Sequence, residues 1–210
     1  MSALNLLLLH GMGRSAFSMA RLARDLRLPE RKVEVLNYVT ALESFDRIVR
    51  RVRDRLASLA ARGTYAAIGH SLGGLLVRAA LADSPISFRP PAHLIMLGTP
   101  NQPPRLARRY RRLWPYRWIN GECGQLLARP DFFAGLPPLV VPYTIIAGTG
   151  GWCRGEGPFA GDPNDGLVAV SETLISPSDQ PITFPVRHTF MMNDRRVRGV
   201  IREVLERVSP

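Results

Sequence analysis

Apolar residues recur along this chain in two rhythms. Compact apolar runs fill residues 4–9, 33–38, 65–68, 93–97 and 143–147, with a weaker one at 182–186, and each is short enough to be a strand buried in a sheet. Between the second and third runs, Phe45, Ile48, Val49, Val52, Leu56 and Leu59 follow a three-and-four spacing, with Arg50, Arg51, Arg53 and Asp54 on the opposite side. That periodicity predicts an amphipathic helix lying on a sheet. Val197, Val200, Ile201, Val204, Leu205 and Val208 repeat it at the end of the chain, where Asn193 or Asp194 supplies an N-cap.

Alternating strand and helix rhythms over the first hundred residues imply right-handed βαβ units, and so a mostly parallel, doubly wound α/β sheet flanked by helices on both faces. A length of 210 residues suits one self-sufficient domain, 1–210. One stretch breaks the rhythm. Residues 101–142 are rich in Pro, Arg and Trp and separate two strands by more than an ordinary crossover needs. Short helices are expected there, either as a reduced cap over the carboxyl ends of the strands or as a crossover packed on the sheet flank.

Composition changes this picture little, but charge does. The hydrophobic fraction of 46% and charged fraction of 21% are those of an ordinary globular chain, not of a disordered or fibrous one. The net charge is +11 and almost all of it is arginine, since Lys32 is the only lysine. Its densest cluster, Arg105, Arg108, Arg109, Arg111 and Arg112, reads either as a solvated helix face or as an attraction to an anionic partner, whether phospholipid headgroups, nucleic acid or an acidic substrate. The run 4–9 lacks the basic flank of a secretory signal, and no stretch approaches the length of a membrane span, so a cytoplasmic protein is expected. Cys123 and Cys153 have no metal-ligand spacing, and reduced thiols fit a chain without an export signal better than a disulfide does.

The chemistry concentrates at Gly69-His70-Ser71-Leu72-Gly73-Gly74, a G-x-S-x-G pattern between the run 65–68 and an apolar helical stretch at Leu75, Leu76, Ala79 and Ala80. A strand-to-helix reversal this sharp needs small neighbours and lifts the serine hydroxyl above the sheet. Serine is a poor nucleophile unless an imidazole takes its proton and a carboxylate holds that imidazole in one tautomer. His10 and His70 sit in glycine-flanked turns, where a structural role is expected, and His93 opens a strand, which leaves His188 as the base. The acid lies between Ser71 and His188 in the order such enzymes follow. Asp165, in the turn Asp162-Pro163-Asn164-Asp165-Gly166, is the leading candidate, with Asp162, Asp179 and Asp131 as rivals. Backbone amides of Leu72, after the nucleophile, and of Met12, in the glycine-flanked loop His10-Gly11-Met12-Gly13, would serve as the oxyanion hole. The same loop lacks the spacing of a phosphate-binding motif.

Together these motifs resemble the small bacterial α/β-hydrolases known as lipases and esterases. The resemblance runs through Leu9-His10-Gly11-Met12-Gly13-Arg14-Ser15, the glycine-flanked serine, Leu97-Gly98-Thr99-Pro100-Asn101, Asn164-Asp165-Gly166 and His188-Thr189-Phe190-Met191-Met192. It implies the α/β-hydrolase fold, a Ser71–Asp165–His188 triad with Met12 and Leu72 amides as oxyanion donors, and hydrolysis of a small ester or lipid without metal or organic cofactor. Thioester hydrolysis, acyl transfer, or a non-catalytic module docking on anionic surfaces are the alternatives, and no nucleic-acid partner is expected. Trp114, Trp118 and Phe190 are candidate substrate contacts, although aromatics in the insert serve equally well as packing. Residues 105–117 and 150–161 have no counterpart in the resemblance.

Overall fold

The structure is a computed structural model that describes residues 4–82, 88–152 and 157–209. Its centre is a six-stranded sheet in the order β2-β1-β3-β4-β5-β6, with every neighbouring pair parallel. The strands are β1 (Asn5–Leu9), β2 (Val33–Leu36), β3 (Tyr65–His70), β4 (His93–Leu97), β5 (Tyr143–Gly148) and β6 (Ile182–Phe184). The helices are α1 (Ala20–Leu26), α2 (Phe45–Ala60), α3 (Leu72–Ala80), α4 (Arg105–Tyr110), α5 (Trp114–Leu127), α6 (Pro130–Ala134) and α7 (Arg195–Val208). This is the doubly wound α/β arrangement that the alternating rhythms predict, and it is consistent with the α/β-hydrolase fold.

Alternation along the strands divides the core in two. Leu7, Leu9, Ala67, Leu94 and Met96 pack with Ile48, Val52, Leu56 and Leu59 of α2 and with Leu72, Leu75 and Leu76 of α3. Leu6, Leu8, Ala66, Ile68, Ile95 and Leu97 point the other way, onto Leu22 and Leu26 of α1 and Val197, Ile201 and Leu205 of α7. Ser44 caps α2 by accepting from the Arg47 amide, and Asp194 caps α7 by accepting from those of Arg196 and Val197. Each fully buried leucine on these faces stabilises the fold by about 1.5–3 kcal/mol, which fixes the sheet to its helices.

Three differences from the sequence expectation have physical causes. β2 stops at Leu36 because Tyr38 leaves the ladder: its amide donates to His10 Nε2, its hydroxyl to the His10 carbonyl, and its ring stacks on the imidazole. β3 runs on through Gly69 and His70 because β4 continues to pair with it as far as Leu97. α1 carries only Leu22, Ala23 and Leu26 as buried residues, too few to announce a helix by periodicity.

The 101–142 segment forms α4, α5 and α6. Its start is clasped by Glu172: the Glu172 carbonyl accepts from the amides of Asn101 and Gln102, and its side chain accepts from the amides of Arg105 and Ala169. α5 breaks at Gly121, where φ is 55°, because a Cβ there would sit 2.3 Å from the Thr40 carbonyl oxygen. That contact seats α5 against the loop after β2. Cys123 is buried and unpaired among the described residues, and Cys153 lies outside them. No helix among the described residues is long and apolar enough to cross a membrane.

Candidate active site

Ser71 stands between the last residue of β3 and the first of α3, with φ 54° and ψ −123°. A non-glycine residue is rarely found at positive φ, and the surroundings impose it. The Ser71 amide donates to the Leu97 carbonyl, as if the ladder continued, while its carbonyl accepts from Gly74 as the helix begins. The reversal is so tight that a Cβ on Gly69 would lie 2.2 Å from the Gly74 nitrogen. The glycines of the motif are there because two stretches of backbone touch.

His188 opens a short 3-10 turn after β6 and is buried. Its Nδ1 donates to Asp165 Oδ2 over 2.6 Å, and its amide donates to the Asp165 carbonyl over 3.0 Å. The other carboxylate oxygen of Asp165 accepts from the amides of Leu167 and Val168, at 2.9 and 2.8 Å. A carboxylate only accepts, so the imidazole carries a proton on Nδ1, and in the neutral ring the lone pair is the one on Nε2. Both side chains press on β4: a Cβ on Gly98 would come within 3.0 Å of Asp165 Oδ2 and 3.1 Å of His188 Nδ1.

The rival carboxylates are engaged elsewhere. Asp162 accepts from Arg105 and Ser171, Asp179 from Tyr143 and the amides of Ile175 and Ser176, and Asp131 is exposed near Arg129. Of the four acids, Asp165 alone meets His188.

His70 belongs to this constellation, although its sequence position suggests only a turn. It is fully enclosed, its Nε2 donates to the His188 carbonyl over 3.0 Å, and the two imidazole centroids are 4.8 Å apart. Burial first, then the neighbouring His188 and Arg14, push His70 well below the ordinary imidazole range, so it is neutral. Its Nδ1 has no hydrogen-bond partner among the described residues. The residue beside Ser71 thus holds the backbone of the residue that carries the candidate base. No sequence signal announces this, because the contact spans 118 positions. His10 is structural, as expected: Nδ1 donates to the Gly11 carbonyl, and burial lowers its affinity for a second proton. His93 bonds Thr144 within the sheet.

The first loop reaches Ser71 from the other side. A Cβ on Gly11 would be 3.1 Å from Ser71 Cβ, which places the backbone next to Met12 at the shoulder of Ser71. Leu72 is buried at the first position of α3. Two recesses lie nearby, one bordered by His188 and the other by the first loop at Gly13. One, of about 370 Å³, lies along Gly13, Val39, Leu42, Trp118 and Ile119, with Arg14 at its wall. The other, of about 290 Å³, is bordered by Asp165, His188, Trp152, Leu167 and Phe190. Trp118 and Phe190 therefore each border a recess, whereas Trp114 is exposed and borders neither. Ser71 Oγ forms no hydrogen bond to His188 among the described residues. Among those residues, too, no three His, Cys, Asp or Glu side chains gather as a metal site.

The sequence profile of the alpha/beta hydrolase family matches residues 6–208. Among solved structures, the fold is similar to the mature lipase BlEst2 of Bacillus licheniformis, with TM-score 0.74, 15% identity, and coverage of 97% of this chain and 92% of that one. The RedJ thioesterase from the prodiginine pathway of Streptomyces coelicolor gives TM-score 0.63 at 16% identity, covering 96% and 88%. Phospholipase PlaB from Legionella pneumophila gives 0.62 at 20%, covering 82% of this chain but 46% of the larger one. At these identities the likeness is one of fold. No curated protein matches the sequence.

Proposed function

The chain belongs to the alpha/beta hydrolase family, and on that premise we propose that it is a serine hydrolase of carboxylic esters, an esterase or lipase acting through a Ser71–His188–Asp165 triad. The observation that carries this reading is the 2.6 Å bond from His188 Nδ1 to the buried carboxylate of Asp165, laced to β3 through His70 beside a strained Ser71.

In the proposed cycle, His188 Nε2 takes the proton of Ser71 Oγ as the oxygen attacks the ester carbonyl, and the oxyanion is held by the amides of Met12 and Leu72. The tetrahedral adduct collapses, the C–O bond to the alcohol breaks, and the alcohol leaves with the proton from His188. Water, deprotonated by the same nitrogen, then attacks the acyl-serine and the acid departs, restoring Ser71. Asp165 stabilises the imidazolium that forms twice in the cycle. Within the site, the recess beside Phe190 and that beside Trp118 offer places for the acyl and alcohol portions.

The test is labelling of the purified protein by a fluorophosphonate, with Ser71→Ala as control, alongside hydrolysis of p-nitrophenyl esters and acyl thioesters of increasing chain length. Labelling confined to the protein with serine at 71, and ester turnover exceeding thioester turnover, is expected. Labelling that survives Ser71→Ala removes the proposed nucleophile, and preference for thioesters reassigns the donor.

A further inference from the structure

All three tryptophans of this chain are largely exposed, Trp114 and Trp118 at 76% and Trp152 at 68%. Single exposed apolar side chains are ordinary, whereas a group of them marks a contact surface. Their positions are not scattered. Trp118 borders one recess of the candidate site together with exposed Val39 and Leu42, and Trp152 borders the other with exposed Leu167 and Phe190. Trp114 lies one helical turn before Trp118, so the two share a face of α5. Leu113 and Ile119 add further exposed apolar surface to the same stretch. Both the recess at His188 and the one that the first loop borders at Gly13 are therefore rimmed by water-exposed aromatic and aliphatic side chains.

The first half of the insert carries charge of one sign. Residues 101–121 hold six arginines and no Asp or Glu. Arg108, Arg109 and Arg111 line an open basic recess of about 570 Å³, and among the described residues their side chains have no acidic partner. Arg14, which forms part of the wall of the recess at Trp118, has a buried Nε with no partner either. Arginine next to exposed Trp, Leu and Ile is the chemistry of a surface that sits at a lipid–water boundary: rings and aliphatic chains enter the headgroup zone, and guanidinium groups pair with phosphate.

We infer that the face carrying the candidate site, formed by α4, the first half of α5, the loop after β2 and the rims at Trp152 and Phe190, docks on an anionic phospholipid surface. Docking in this orientation sets the mouth of both recesses against the lipid, so that an ester enters from the bilayer side. The inference deepens the proposed ester hydrolysis by saying where its substrate resides, and it rests on that reading for the place of the active site. Nucleic acid is a poorer occupant, since exposed aliphatic residues such as Leu42 and Leu113 have no partner on a phosphodiester backbone.

The experiment is co-sedimentation of the whole chain with vesicles of phosphatidylcholine alone or mixed with phosphatidylglycerol, at low and high salt, with tryptophan emission recorded and brominated lipid as quencher. Because every tryptophan lies on the proposed face, emission reads docking directly. The expected result is binding to the anionic vesicles, weakened by salt, with blue-shifted and quenched emission. The triple variant R108Q/R109Q/R111Q lowers partitioning on the order of a hundred-fold, and Leu113→Ser lowers it about tenfold, while both keep the wild-type rate on a short-chain soluble ester. Absence of vesicle binding overturns the inference, as does binding without change in tryptophan emission, or tighter binding to a single-stranded oligonucleotide than to vesicles. Soluble-ester hydrolysis separates the two claims: turnover without vesicle binding sinks the docking face alone, whereas docking without turnover supports that face and sinks the proposed reaction.

Discussion

The carboxyl edge of the sheet and the 101–142 segment both border the candidate site, and they treat apolar residues in opposite ways. Leu6, Leu7, Leu8 and Leu9 are wholly buried, and the loops that leave such strands are tied by backbone hydrogen bonds. Asp165 and His188, on two of these loops, exchange bonds through backbone and side chain alike. In the insert, Leu113, Trp114, Trp118 and Ile119 stay in water, while Arg108, Arg109 and Arg111 have no acidic partner among the described residues. Rigid framing serves groups whose mutual geometry decides a proton transfer. Exposed, unsatisfied surface serves contact with something outside the molecule.

Substitutions sharpen this contrast in order of size. Ser71→Ala and His188→Ala each remove roughly a million-fold in kcat on a soluble ester, measured by initial rates, with the fold retained by circular dichroism. Asp165→Asn costs roughly ten-thousand-fold, because the amide favours the wrong imidazole tautomer. Asp162→Asn, which loosens only the tie to Arg105 and Ser171, leaves kcat within a few fold. Should Asp162→Asn prove the more damaging of the pair, the acid has been misassigned.

His70→Phe deletes the donor to the His188 carbonyl and lowers kcat about ten- to a hundred-fold with little change in KM. His70→Gln, whose amide nitrogen reaches the same place, restores most of it, an outcome a purely space-filling role does not give. Trp118→Ala sits at the small end: a few-fold rise in KM for long acyl chains and none for acetate esters, read from a chain-length series.

Stability responds to pH through the same buried histidines. His70 and His10 bind protons less readily folded than unfolded, so their neutral forms carry full stability above about pH 6.5. As pH falls below that value the unfolded chain takes up protons that the folded one refuses, and each group costs up to about 1.4 kcal/mol per pH unit until its folded pKa is reached. Urea midpoints measured between about pH 7.5 and 5.5 should therefore fall, and His70→Gln should flatten the slope. A midpoint that rises over this interval contradicts the assignment of neutral, buried imidazoles.

Much of the framework was legible in the sequence because local rules apply to it. A compact apolar run placed β1, three-and-four spacing placed α2 from Phe45, and the reversal at Gly69 to Gly74 announced itself through residues that cannot carry side chains there. Chain order and turn chemistry singled out Asp165 and His188. What escaped is long-range. Nothing near His70 says that its imidazole will meet a carbonyl beyond β6, and nothing near Tyr38 says that it will abandon its strand for His10. The orientation of Trp118 toward Leu42 depends on Gly121 yielding to the Thr40 carbonyl, a contact between segments about eighty positions apart.

The Glu172 clasp has a use for protein engineering. It fixes Asn101, Gln102 and Arg105 to the loop that carries Asp165, and β5 fixes the return of the chain, so both ends of the intervening stretch are pinned to the scaffold. Residues 106–120 then form an exchangeable cassette. Grafts that keep Arg105 and Gly121 should alter which molecules the protein prefers while leaving the Asp165–His188 contact undisturbed.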